Sequence, residues 1–213
     1  MRSLIAFLAP AILAMAQDED HKPNNAGLVE VTASKEFNYG LIFVPVAKSF
    51  ALDAQYYWTE RGGSQALTGI AYTKAIKGIR LIPGVYYVSE SCHGGNRPWG
   101  CHDVAVGGGW EWENENWTTR GFIAQTIGQA ELRFGLADPV QIGRRFQNGR
   151  AEFGFAYVGE EEREEEKTHL FGKGGIYGRR YIGKGYAEVT FLTGHGGPTI
   201  RVTIGRAFKG FGR

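Results

Sequence analysis

Several residue clusters in this 213-residue chain have types and spacings that could do chemistry. Cys92, His93, Cys101 and His102 put four soft or borderline metal ligands in one short stretch. The usual C-x₂-C spacing of a zinc site is absent, and the residues between the cysteines, H-G-G-N-R-P-W-G, are loop-forming. In an exported chain such a pair reads first as a disulfide, so we expect a Cys92–Cys101 bridge pinning a loop and no metal site. The run Glu160 to Lys167, E-E-E-R-E-E-E-K, could gather a divalent cation. It matches no calcium-loop spacing, and a solvated rim loop or short helix is the expected reading. Gly107-Gly108-Gly109 and Gly172-Lys173-Gly174-Gly175 suggest phosphate cradles, but neither leads into a helix carrying Lys-Ser/Thr, so both read as kinks or turns. His102-Asp103 is a possible acid/base pair. Nucleophilic catalysis would need a serine with a base and an orienting group, and serine is scarce downstream. We therefore expect no catalytic residues, no cofactor and no enzyme.

The elements that must position these groups announce themselves at Val104 to Glu113, V-A-V-G-G-G-W-E-W-E. Val104, Val106, Trp110 and Trp112 share one parity; Asp103, Ala105, Glu111 and Glu113 share the other. Alternate side chains of an extended strand point to opposite faces, so one face is apolar and the other small or acidic. The same script recurs along the chain. Asp53, Glu111, Glu113, Glu131, Arg133, Glu152, Glu188 and Arg201 face away from the apolar parity, with Arg120, Arg144, Arg179 and Arg206 nearby. These charges either pair across an interior and plug it, or line a water-filled passage. Trp58, Trp110, Trp112 and Tyr157 suit a membrane interface, and tryptophans could also stack on sugars.

Composition narrows the class. The net charge of +2 is too balanced, and basic clusters with interleaved aromatics too absent, for a nucleic-acid partner. The 32 glycines follow no collagen period and imply many turns and close strands. Residues 1–16 have the form of a cleaved secretory signal: Arg2, an apolar core from Leu4 to Leu13, then Ala14-Met15-Ala16. Residues 17–26 read as a disordered lead-in and 27–213 as one domain. Beyond the signal no apolar run reaches helical spanning length, so a membrane form must be a closed barrel.

Strand signals arrive at 28–34, 38–47, 53–59, 66–73, 79–89 and 104–113. Trp117 to Ala137 is one strand or two divided at Gly128. Asn148-Gly149 is a hairpin signal between 140–147 and 150–159. Strands at 176–181, 186–192 and 199–208 complete the chain. The total is about 12, with 8 or 10 if weak strands merge. Residues 90–101 and 160–175 are the longest irregular stretches, and the strand count puts them on the same side.

The signal, the serial amphipathic hairpins and Phe208 near the end of the last strand resemble small Gram-negative outer-membrane β-barrel proteins. Residues 27–208 carry this as pattern, and Lys209 to Arg213 follow the aromatic. The lipid A deacylase-like His-x-Ser signature of some such barrels is absent. The resemblance implies an all-β chain forming a single antiparallel transmembrane β-barrel in the cell outer membrane. It also implies outer-membrane lipid and the barrel-insertion machinery as partners, and a narrow pore for a small solute or a structural role. The competing reading is a secreted soluble β-sandwich or barrel binding a ligand such as carbohydrate. The direction of the apolar parity separates the two.

Overall fold

The chain alternates period-two segments with glycine-rich or Asn-rich turns, and in the computed structural model its described residues form antiparallel strands joined by turns. The structure describes residues 26–35, 37–59, 64–90, 101–127, 133–164 and 167–209. The strands are β1 (Ala26–Ser34), β2 (Phe37–Ala47), β3 (Phe50–Thr59), β4 (Ser64–Tyr72), β5 (Lys74–Ile76), β6 (Ile79–Glu90) and β7 (Cys101–Glu113). They continue as β8 (Trp117–Thr126), β9 (Arg133–Phe146), β10 (Ala151–Glu164), β11 (Lys167–Ile182), β12 (Gly185–Gly194) and β13 (Thr199–Lys209). Both β4 and β5 pair with β6, with only Thr73 between them, so they are two pieces of one stave. Consecutive strands pair in order and β1 pairs with β13 from Ala26↔Lys209 to Ser34↔Arg201. The result is a closed barrel of 12 staves.

The apolar parity points outward. Val104 and Val106 are exposed while Ala105 between them is buried. Phe153 and Phe155 are exposed, whereas Glu152 and Ala156 are buried. In a soluble barrel these positions would be reversed. Turns alternate between the two ends. Those at 48–49, 77–78, 114–116, 147–150 and 183–184 are all tight and share one end with the start of β1 and the finish of β13. Strand order puts the 91–100 and 165–166 connections together at the other end. The Asn148-Gly149 hairpin forms, with Gln147, Asn148 and Gly149 all in the left-handed region. Asn and Gly tolerate that region, and it matches the right-handed twist of the flanking strands.

Three expectations need correction. Residues 160–164 and 167–175 are not a loop or short helix; they continue β10 and β11, paired from Glu160↔Phe171 to Glu164↔Lys167. Like charges in a row suggested a solvated loop, but a hairpin backbone accepts the same residues. Residues 74–76, between the strands expected at 66–73 and 79–89, extend the fourth stave, and the turn is Lys77-Gly78 with both φ angles positive. The break expected between 137 and 140 is absent. Asp138-Pro139 lies inside β9, where the register slips against both neighbours, between Tyr157 and Gly159 on β10 and between Arg120 and Ile123 on β8. A bulge frees proline from supplying a ladder N–H, so the residue that signals a break is accommodated. The division expected at Gly128 lies outside the described residues, which resume at Arg133.

Glycines allow close approach of neighbouring strands and flat-lying rings. On the outer wall the Trp110 indole covers Gly121, Phe208 covers Gly27 and Tyr157 lies against Gly172. A Cβ on Gly107 would run into the backbone of Ile123 and Ala124, whereas one on Gly178 would meet nothing within 4 Å. Gly107→Val is therefore expected to remove most of the folded, heat-modifiable form on detergent gels, and Gly178→Ala to leave it intact. Equal behaviour of the two variants would contradict this wall packing.

Candidate functional site in the barrel lumen

The inward parity delivers polar side chains to the lumen from many strands at once. On β11, Tyr177, Arg179 and Tyr181 sit at i, i+2 and i+4 and so share the inner face. Facing them are Thr118 and Arg120 of β8, Gln141 of β9, Glu152 of β10, and Tyr186, Glu188 and Thr190 of β12. Glu152 is 2% exposed and accepts hydrogen bonds from the Thr118 hydroxyl at 2.9 Å and the Tyr181 hydroxyl at 2.8 Å. The Tyr177 hydroxyl and the Arg120 guanidinium also donate to it. Arg179 donates to Glu188 Oε2 from both Nη2 at 2.6 Å and Nε at 2.8 Å, two donors converging on one carboxylate oxygen.

Gln141, 1% exposed, joins these two ion pairs. Its Oε1 accepts from Arg120 Nε at 2.8 Å and from Arg179 Nη2 at 3.3 Å, and its Nε2 donates to Glu188 Oε1 at 2.8 Å. The Arg179 guanidinium also lies over the Tyr186 ring, 4.0 Å from its centroid, and the Tyr186 hydroxyl donates to Glu30 on β1. One connected network thus spans the arc from β8 through β12 to β1. Removing a charge from water is costly unless partners replace the lost hydration, and each charged group in this network has them.

The opposite arc is different. Asp53 on β3, 4% exposed, is held by Gln55 Nε2 at 3.2 and 3.1 Å and by the Tyr86 hydroxyl at 3.1 Å. Gln55 in turn accepts from the Tyr57 hydroxyl at 3.1 Å, and Tyr57 packs on Tyr39 with centroids 4.7 Å apart. Leu67, Val88, Ala105 and Ala124 pack around Tyr86. The lumen therefore has a charge-paired wall and a mostly neutral, aromatic wall. The low exposure of Gln141, Glu152 and Asp53 means that neighbouring side chains cover each of them within the lumen.

Of the residues singled out from sequence, Asp53, Glu152, Glu188 and Arg201 lie buried on the inner face. Glu111 and Glu113 keep the inner parity but stand at the tight-turn mouth, paired to Arg80 at 2.9 Å and to Arg145. Glu131, Cys92 and the side chains of Cys101 and Arg133 lie outside the described residues, as do the acidic side chains of 160–166. Of the arginines placed nearby, Arg120 and Arg179 point inward, whereas Arg144 and Arg206 point outward. Trp58, Trp110, Trp112 and Tyr157 have the outward parity, Trp58 and Tyr157 toward one end of the staves and the other two toward the other. His102 and Asp103 do not meet as an acid/base pair, because adjacent strand residues face opposite ways. His102 Nδ1 lies 2.7 Å from the Tyr87 hydroxyl on the outer wall, and Asp103 accepts from the Val104 N–H at 2.6 Å. Gln141, Tyr177, Tyr181 and Tyr186 were not singled out, although their inward parity was readable.

Glu152→Gln would leave the Arg120 cation, its side chain 22% exposed, without its anion. Breaking a buried pair from one side costs about 3–5 kcal/mol, so urea unfolding in detergent should show a loss of that order. A loss below about 1 kcal/mol would mean that water already screens the pair.

No family model matches the chain and no curated protein matches it. Among solved structures it is similar to the KdgM porin, with a TM-score of 0.58 at 11% identity over 86% of this chain and 99% of that one. It is likewise similar to the KdgM porin in complex with disordered oligogalacturonate, with a TM-score of 0.56 at 10% identity over the same shares of the two chains. At that identity the likeness is one of fold: this chain is a closed antiparallel β-barrel of the architecture seen in porins.

Proposed function

We propose that the protein is an outer-membrane barrel providing a narrow passage for small solutes, constricted by the Glu152–Gln141–Glu188 network. The observation that carries this reading is the direction of the two parities, apolar side chains on the outside and buried polar ones within. Lipid tolerates a strand wall only when its backbone groups are paired and the outward side chains at membrane depth are apolar, and the ladder pairing and the exposed Val, Ile, Leu and Phe residues of the wall fit that requirement. Outward-facing aromatics mark both ends of the wall: Tyr56, Trp58 and Tyr157 at one, Trp110, Trp112 and Trp117 at the other. These are the positions where amphipathic rings suit headgroups. The tight turns then face the periplasm and the long β10–β11 hairpin faces outward. Residues 1–16 would be the export signal, a Cys92–Cys101 disulfide would restrain the outer connection, and the barrel-insertion machinery would deliver the chain. The barrel acts here as a conduit and not as an enzyme.

The outward wall also argues against the soluble alternative, in which Phe155, 71% exposed, and Ile70, 59% exposed, would have to face water.

Two measurements test the proposal. Trp110→Asp puts a carboxylate on the outer wall near its end, where the cost is well below the roughly 2–4 kcal/mol of a basic residue at the midplane, and it also strips the indole from Gly121. It should reduce recovery of heat-modifiable protein from outer-membrane fractions, and undiminished recovery would reverse the assigned orientation. Arg179→Ala combined with Glu188→Ala removes an ion pair without leaving a buried charge alone. Single-channel conductance in planar bilayers should rise at least about twofold for this variant. A barrel that inserts but conducts no ions with either sequence would instead be a plugged, structural one.

A further inference from the structure

The described charged residues of the wall are sorted by sign. Every described acidic side chain within a strand, from Glu30 to Glu188, has the inner parity. The described cations with outer parity in the strands are Lys74, Arg144, Arg180 and Arg206. The three arginines lie on alternate staves, β9, β11 and β13, each two or three residues from the tight-turn end. Register fixes their neighbours. Phe153 lies between Arg144 and Gly178, Ala187 between Arg180 and Ile204, and Gly185 between Ile182 and Arg206. Arg180 and Arg206 therefore flank a trough floored by Ala187 and Gly185, Phe153 stands between Arg144 and Gly178, and a Cβ on Gly178 would meet nothing within 4 Å. Their described contacts are with neutral groups: Arg144 lies over the Phe146 ring, 5.7 Å from its centroid, and Arg180 donates to Gln147. Staves two apart are separated by roughly 9–10 Å, a gap that two arginine side chains can close around one phosphate.

We infer that this outer face of β9–β13 is a binding site for an anionic glycerophospholipid of the inner leaflet. Arg180 and Arg206, which flank Ala187 and Gly185 of β12, would hold its phosphate, Arg144 two staves beyond Arg180 would add to the positive field, and an acyl chain would lie in the Gly178–Ala187 trough. This rests on the membrane reading above. Charge complementarity selects the occupant: three cations and no described acid on that face, at the level where the apolar wall gives way to the turns. The tight-turn end is the periplasmic one, where the leaflet is phospholipid. Above the arginines, exposed Phe155, Val189 and Phe191 continue the apolar surface an acyl chain would follow.

The test uses the barrel inserted in vesicles of phosphatidylcholine with one tenth phosphatidylglycerol, extracted in mild detergent, with retained lipid counted by native mass spectrometry. Phosphatidylglycerol should be retained preferentially. The triple variant Arg144→Gln, Arg180→Gln and Arg206→Gln should lose at least about tenfold of that preference, since a basic residue near a membrane surface contributes about fivefold. Gly178→Leu should lower retention with all charges present. Lys74→Gln, an outward cation at the same end on a different arc, should change nothing. A wild-type barrel that inserts yet retains no excess phosphatidylglycerol would overturn the inference, as would equal retention by the triple variant or an equal loss with Lys74→Gln. Failure of the wild-type chain to insert at all would overturn the membrane reading itself.

Discussion

The requirement that a strand wall leave no backbone N–H or C=O unpaired governs most of this structure. In lipid an unsatisfied group costs several kcal/mol, and a sheet with free edges presents a whole row of them. Pairing of β1 with β13 removes the two edges that a chain of hairpins would otherwise keep. The fourth stave tolerates the interruption at Thr73 because the Thr73 N–H donates to the Ser49 carbonyl at 2.8 Å. Prolines 45, 83 and 139 obey the same constraint. Pro45 and Pro139 sit beside register slips, and Pro83 lies opposite the break between β4 and β5.

Closing the wall creates an interior whose contents must then be reconciled with burial. The solution is asymmetric. One arc carries both buried ion pairs, joined by Gln141, and the other carries Asp53 among tyrosines, alanines and Leu67. A glutamine at the junction is chemically apt, since its carbonyl can accept from both arginines while its amide donates to Glu188. An acid at that position would add a third anion, and an apolar residue would leave donors of Arg120 and Arg179 unmatched. The network therefore depends on a neutral group more than on any single charge.

Much of the wall was legible in the sequence because a period of two survives local irregularity. The strand count, the outward direction of Val104, Val106, Trp110 and Trp112, and the inward direction of Asp53, Glu152 and Glu188 all follow from parity. Parity does not reveal which inward residues meet. Glu152 and Arg120 are brought together by the order and stagger of staves around the ring, which no local pattern encodes. Arg144 and Arg206 show a related limit: near a strand end an arginine is tolerated on either face, so its charge alone does not orient it. The acidic run was misread because a row of like charges looks like a loop in isolation, whereas its described backbone pairs as the β10–β11 hairpin.

The β1–β13 seam also bears on how such a molecule comes into being. Thr32 and Thr203 share a 2.7 Å hydrogen bond across 171 positions of chain, so the first stave waits for the last before its outer edge is covered. Until then every partial product has two sticky borders, each able to recruit a neighbour's strand in place of its own. Assembly is therefore a race between ring closure and misdirected pairing, and a helper that shields one border until synthesis is complete would decide its outcome.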